Sequence, residues 1–319
     1  MDVHDRIVGC LTGLAVGDAL GTTLEFARRG TFVPVTEMVG GGPFGLEPGQ
    51  WTDDTSMALC LADSLIECGG FDPADQMRRY IRWWRHGHRS SRSGHCFDIG
   101  NTVRNALARF ERSAEPYAGS TSEQSAGNGS LMRLAPVAIF YAGEPSEAIR
   151  RAADSSRTTH GAAEAVDACR YLAELLVGAL AGKSKSALLS DALAPVGGLR
   201  DDPPLAARIR AIAAGSYKGR QPDTIQASGY VVHTLEAALW AFHSSSTFRE
   251  GALLAVNLGE DADTTGAVYG QLAGAFYGAA AIPQQWRERL YEGAAIADLA
   301  IRLYERGAGR GMVPVSEER

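Results

Sequence analysis

The chain has 319 residues, 45% of them hydrophobic and 21% charged, and carries a formal net charge of −6. That composition suits one large globular domain, read as 1–319, and lacks the basic surplus that draws a protein to nucleic acid. Five cysteines (Cys10, Cys60, Cys68, Cys96 and Cys169) form no Cys-x-x-Cys pair, which argues against a disulfide framework or a thiolate zinc site and suits a reducing cytoplasm.

The N-terminus, MDVHDRIVGC, has no basic signal-peptide region, and the apolar run 7–16 falls short of the ~20 residues a membrane span needs. A soluble protein is expected. Beyond this start, apolar residues recur at three- and four-residue spacing between short Gly/Pro/Ser segments, so the predicted fold class is all-α, a single multi-helix domain. In the first predicted helix, 5–20, Gly9, Gly13, Gly17 and Gly21 recur every four residues. Far along the chain, in the helix predicted over 264–281, Gly266, Gly270, Gly274 and Gly278 do the same. Each interior helical glycine costs roughly 0.8–1.0 kcal/mol relative to alanine, and a smooth ridge offsets that by letting two helices approach along their i±4 rows. The two ridges are therefore predicted to pack on each other. Asp18 ends the first and Asp261-Ala262-Asp263 precedes the second, so this packing would bring distant acidic residues to one place.

Between the ridges, only 31–39 (TFVPVTEMV) reads as extended, and Pro34 interrupts it. Trp51-Thr52-Asp53-Asp54-Thr55-Ser56 runs into an apolar helix predicted over 57–66. From Arg82 to His95 lies a basic run bearing Trp83 and Trp84; it reads either as a solvated helix end or as a positive rim built on Arg85, Arg89 and Arg92 that would grip an acidic target. Gly127-Asn128-Gly129-Ser130 precedes an apolar stretch, 131–141, as an ordinary loop or as a glycine turn whose N–H groups meet an anion at a helix start. His160 stands at the head of a helix predicted over 162–180, as a packing or a ligand-contact residue. Further helices are predicted over 205–214 and 231–242, the latter preceded by Tyr230, which either packs in the core or stacks on a base.

The two acidic runs each open a helix. One capping side chain suffices for a helix start, yet each run carries two carboxylates and several hydroxyls. Asp53, Asp54, Asp261 and Asp263 together offer hard oxygen donors without Cys or His, a set suited to magnesium, calcium or manganese. Two divalent cations would balance the four carboxylates; without metal the acids would repel and some would protonate.

At these residues the sequence resembles the ADP-ribosylglycohydrolase family. The resemblance rests on Gly17-Asp18-Ala19-Leu20-Gly21, Trp51-Thr52-Asp53-Asp54-Thr55, Gly127-Asn128-Gly129-Ser130-Leu131-Met132-Arg133, Thr159-His160 and Asp261-Ala262-Asp263-Thr264, in the family's order. It implies an all-α fold around two Mg²⁺ (Mn²⁺ as a substitute), with Thr52, Asp53, Asp54, Asp261, Asp263 and Thr264 as ligands. It implies a role near the scissile bond for Glu25, and substrate handling by Asp98 in the Asp-Ile-Gly motif. Gly127, Asn128, Gly129 and Ser130 would cradle the diphosphate, with His160 and Tyr230 as further substrate contacts. Glu260 stands where the family commonly has Gly, and Thr265 where an aliphatic residue is usual.

The activity so implied is hydrolysis of the bond linking ADP-ribose to a macromolecule, with arginine favoured because a carboxylate such as Asp98 pairs bidentately with a guanidinium. Serine, nucleobase and O-acetyl linkages remain alternatives, as do an ADP-ribose-binding or immunity protein that blocks a toxin partner and, from the acids alone, a two-metal phosphoesterase. Nucleic acid is not favoured as a partner, and no membrane is expected.

Overall fold

The structure, a computed structural model, describes residues 2–92, 94–190 and 204–309. Parts of the 1–319 range read as one domain therefore lie outside the described residues. The first glycine ridge folds as α1 (Val3–Gly21), whose residues from Gly9 onward are all buried. After an irregular excursion the acidic run opens α2 (Asp53–Cys68), four residues earlier than the apolar pattern alone suggested, because Asp53 and Asp54 form its first turn. Helix α3 (Pro73–His86) starts where the Asp72 carboxylate accepts from Ala74 N and Asp75 N, both at 2.9 Å, and stops at left-handed Gly87.

Helices α4 (Asn101–Ser113), α5 (Ala135–Phe140), α6 (Pro145–Arg157), α7 (Ala163–Leu180), α8 (Lys185–Leu188) and α9 (Ala207–Ala213) follow. Of these, α7 and α9 lie within two residues of their predicted bounds, whereas the 131–141 stretch is helical only in α5 and forms turns before it. The chain finishes through α10 (Val231–His243), α11 (Phe248–Val256), α12 (Ala262–Tyr277), α13 (Gln284–Arg289) and α14 (Gly293–Ala308). Among the described residues there is no strand, only isolated bridges, so the all-α prediction holds. The 31–39 segment has no partner strand; the Asn257 side chain takes that place at Val35, accepting from its N–H at 2.8 Å and donating to its carbonyl at 3.0 Å.

Helices α1 and α12 pack antiparallel at the centre. A Cβ on Gly13 would fall 2.3 Å from Gly270 O, one on Gly17 2.0 Å from Gly266 O, and one on Gly274 1.9 Å from Gly9 O. Backbone thus rests directly on backbone, a geometry only glycine permits on both sides. The predicted helix pair is present, with one correction: Gly278 ends α12 at φ +82° rather than lying inside it, although its backbone still meets Gly9. Helices α2, α5, α7, α10, α11 and α14 pack around this pair. Val3–Leu24 is long and apolar enough to cross a membrane by length and composition, more than the 7–16 run suggested, yet 89% of its most apolar window is buried inside the fold, as a core helix would be.

Candidate active site at the start of two helices

The antiparallel seam sets the starts of α2 and α12 side by side, at the end of α1. Neither helix is capped by its own N-cap side chain. Asp18, wholly buried in the last turns of α1, does this for α2: Oδ1 accepts from Thr52 N at 2.9 Å and Thr52 Oγ1 at 3.0 Å, and Oδ2 from Thr55 N at 3.0 Å and Thr55 Oγ1 at 2.6 Å. Glu25, just past α1, does it for α12, its Oε2 accepting from Ala262 N at 3.1 Å. Capping is therefore supplied from a third element, and the acids of both runs are left for another purpose.

Those acids converge. One carboxylate oxygen each from Asp18, Asp54 and Asp263 lie within 4.8 Å of one another, as do oxygens from Glu25, Asp261 and Asp263, and Asp263 belongs to both groups. Thr52 Oγ1 is 3.2 Å from Asp54 Oδ2 and 3.3 Å from Asp263 Oδ2, and Thr264 Oγ1 is 3.5 Å from Asp54 Oδ2. Asp54 Oδ1 is buried without any hydrogen-bond partner. Asp53 completes the cluster from the cavity side.

Above this floor opens a cavity of about 330 Å³. Five carboxyls line it (Glu25, Asp53, Asp98, Asp261 and Asp263), with no lysine or arginine among the described lining residues. The electrostatic cost shows in every acid where a shift is resolved. Burial, then Asp263, raises Asp18 to about 7 and Asp261 to about 7, the latter despite a hydrogen bond from Asn128. Burial and the Asp263 charge lift Asp98 to about 9. Burial, with Asp98 and Asp54 beside it, holds Asp53 well above the carboxylate range, and burial with Asp18 does so for Asp54. Glu25 is driven far up by burial and by Asp263. Such a set either keeps its protons or is neutralised by cations.

The donor chemistry fits divalent metal. The oxygens are hard, the orphaned Asp54 Oδ1 lacks a partner that a cation would supply, and Asp263 is shared between two acidic groups. Of the expected ligands, Asp54, Asp261 and Asp263 belong to these acidic groups, with Thr52 and Thr264 beside Asp54 and with Asp53 on the cavity side, so this set could hold a divalent ion. Asp18 lies in the same cluster, but each of its oxygens already accepts two protein hydrogen bonds, so it shapes the site from behind. Sequence reasoning did not assign Asp18 a site role; its position after Gly17 at the end of the ridge was the available signal.

The remaining candidates divide. Asp98 reaches the cavity from a left-handed backbone at φ +51°, just before α4. Gly127, Asn128, Gly129 and His160 form another part of the cavity wall, where a Cβ on Gly129 would lie 2.8 Å from His160 Cε1. That wall is not a helix start: α5 begins only at Ala135, and the N–H groups of Gly127 and Asn128 go to Ser125 O at 2.8 Å and Gly229 O at 3.2 Å. Asn128 instead steadies the floor, donating from Nδ2 to Asp261 Oδ2 at 2.9 Å. Ser130 is absent from the lining; its hydroxyl meets Ser156 Oγ at 2.8 Å. Tyr230 also stands outside the lining, its hydroxyl accepting from Arg208 at 2.6 Å and donating to Glu164.

At the mouth, half-buried Phe44 lies 6.3 Å from exposed Phe26 and 5.5 Å from Phe97, an aromatic arc that the sequence reading missed. Much of the basic rim is spent in ion pairs. Arg85 pairs with Glu111 at 2.6 Å, and Arg89 grips both oxygens of Asp63 at 2.7 and 2.8 Å. Only Arg92, 5.8 Å over the Phe97 ring, stays near the cavity mouth. Glu260 occupies φ +60°, which explains why glycine suits that position, and Thr265 Oγ1 returns to Asp261 O at 2.8 Å.

Comparison with known proteins agrees with this arrangement. The profile of the family described as ADP-ribosylglycohydrolase matches residues 1–311. The chain is 48% identical over 302 residues to ADP-ribosylarginine hydrolase Tri1 of Pseudomonas putida (strain GB-1), covering 95% of this chain and 78% of that protein. It is 36% identical over 295 residues to the ADP-ribosyl-dinitrogen reductase glycohydrolase of Rhodospirillum rubrum, covering 90% and 91%. A solved structure titled ADP-ribosylglycohydrolase-related protein complex superposes with a TM-score of 0.84 at 47% identity, covering 96% of this chain and 99% of that one.

Proposed function

The chain belongs to the ADP-ribosylglycohydrolase family, and from that membership we propose that it hydrolyses the bond between ADP-ribose and an arginine side chain of a modified protein, with magnesium as cofactor. The observation that carries this reading is the cavity lined by five carboxyls and, among the described residues, no lysine or arginine, which calls for cations in both cofactor and substrate. Thr52, Asp53, Asp54, Asp261, Asp263 and Thr264 would hold two Mg²⁺, or Mn²⁺ in substitution. Bound there, the metal would polarise a water and fix ribose hydroxyls.

The chain's own groups supply the rest. Hydrolysis breaks the C1″–N bond through an oxocarbenium-like transition state; hydroxide equivalent adds to C1″ and the proton leaves with the guanidine. Asp98, lining the cavity, would pair with the guanidinium of the leaving group. Glu25, anchored by Ala262 N beside Asp261 and Asp263, would give up its proton once cations offset those neighbours, and would then take the proton from the attacking water and return it to the departing nitrogen. Gly127, Gly129 and His160 would contact the ADP-ribose body. The protein's setting is taken as the cytoplasm, where its five cysteines stay unpaired.

The deciding experiment measures free ADP-ribose released from arginine-, serine- and nucleobase-linked substrates, in Mg²⁺ or EDTA. Release from the arginine linkage in Mg²⁺ only, lost in Asp53→Ala/Asp263→Ala, is expected. Release from another linkage alone would move the substrate. No release from any, with ADP-ribose binding retained, would make the chain a reader or a blocker of a toxin partner.

A further inference from the structure

Arg133, the last residue of the glycine-loop motif, plays no part in the chemistry so far. Its side chain is wholly buried, and no carboxylate among the described residues pairs with it. Its guanidinium lies 4.6 Å from the Tyr80 ring centroid, and Nη2 donates to Thr159 Oγ1 at 2.7 Å. Burying an unpaired cation is costly, so its placement invites a reason.

The reason lies one hydrogen bond further on. A guanidinium only donates, so Thr159 Oγ1 accepts from Arg133. The hydroxyl keeps one proton, and His160 Nδ1 stands 2.9 Å away. Thr159 is fully buried, and a hydroxyl that accepted from both neighbours would strand its own proton out of reach of water. With the proton donated to Nδ1, the Thr159 hydroxyl both accepts and donates inside the protein. The imidazole is then neutral and carries its hydrogen on Nε2. A nearby fixed positive charge also disfavours the imidazolium, and burial followed by Arg133 lowers His160 to about 3.

Nε2 is the nitrogen that matters to a ligand. His160 lines the cavity, and Nε2 has no recorded protein partner among the described residues. Gly127 and Gly129 leave it room: a Cβ on either would come within 3.3 Å of it. We propose that Arg133 and Thr159 are positioning residues that lock His160 in its Nε2–H neutral tautomer, giving the cavity a hydrogen-bond donor aimed at an oxygen of ADP-ribose. This rests on the reading of the cavity as an ADP-ribose site. It makes His160 a neutral donor where an imidazolium or a general base would otherwise be assumed.

Long-range ¹H–¹⁵N correlation spectra of ¹⁵N-histidine-labelled full-length protein, with His160 assigned through His160→Gln, test the tautomer directly. A protonated Nε2 and a bare Nδ1, unchanged from pH 5 to pH 9, are expected; an imidazolium or an Nδ1–H form in the wild type overturns the proposal. In Thr159→Val the tautomer balance should shift and affinity for free ADP-ribose with Mg²⁺ should fall about ten-fold, the worth of one directed hydrogen bond, with the loss in KM rather than kcat. Thr159→Ser, which restores the hydroxyl, should recover the wild-type spectrum. If Thr159→Val leaves spectrum or affinity as in the wild type, the relay has no such role. Should the wild type bind no ADP-ribose at all, the functional reading fails, while the spectrum still decides the relay.

Discussion

The floor of the cavity and its wall are built by opposite means. The floor stands on α1 and α12, where glycine faces glycine and no side chain intervenes, and its helix starts are pinned by Asp18 and Glu25. The wall is made of loops held by hydrogen bonds between distant segments, among them Asn128 N to Gly229 O, Gly161 N to Ser120 O and Arg133 to Thr159. A floor that gathers like charges needs a support that cannot relax, and backbone-on-backbone packing provides one. A wall that admits a ligand needs groups that can be aimed one at a time.

The severest test of that contrast is Gly17→Ala. Its Cβ would sit 2.0 Å from Gly266 O, so a loss of about 3 kcal/mol or more in urea unfolding is expected. Gly143→Ala, facing open space, should stay within about 0.5 kcal/mol. Equal effects would mean the seam is not what holds the floor.

The charge on the floor supplies a second test. Asp18 and Asp261 rise from 3.8 to about 7 on folding, and Asp98 to about 9. The folded chain therefore binds more protons than the unfolded one between these limits. Their contribution to stability is full below pH ~4 and is lost as pH climbs through ~7 to ~9. In EDTA the melting temperature should fall from pH 5 to pH 8, and Mg²⁺ should flatten that slope. A metal-free protein that gains stability with rising pH would contradict the crowded floor.

Asp18→Asn probes the pinning itself. It keeps the side chain's size but presents an amide to Thr55 N–H and Thr52 N–H, and Mg²⁺ affinity should drop about 10–100-fold by titration calorimetry. On the wall, Gly129→Ala pushes a Cβ against His160 and should weaken ADP-ribose binding about ten-fold while leaving Mg²⁺ affinity alone. If it disturbed the metal as well, floor and wall would be one unit. The mildest change is Glu260→Gly, which relieves a side chain at φ +60° and should add about 1 kcal/mol of stability.

The same division governed what the sequence could tell. The floor was legible because its signals are local: glycines every four residues, and paired acids opening α2 and α12. What stayed hidden there was the capping, since Asp18 serves a helix start 34 residues away. The wall was legible only through its motifs, and its details went otherwise. Ser130 turns toward Ser156 and Cys169, and Tyr230 is tied between Glu164 and Arg208. Arg85 and Arg89 find acids 26 residues off, so the basic run dissolves into ion pairs that no spacing announces.

The seam also dictates when the protein can first work. Thr52 Oγ1 meets Asp18 from 34 residues behind and Asp263 from 211 residues ahead. A chain emerging from the ribosome carries Asp53 and Asp54 for most of its synthesis with Asp18 already made but Asp261 and Asp263 still to come. Only when α12 slides against α1 do Asp261 and Asp263 arrive, so the acidic floor is completed at one late moment. An unfinished chain then offers stray metal ions no completed seat, and the order of synthesis itself becomes a safeguard on what the site is loaded with.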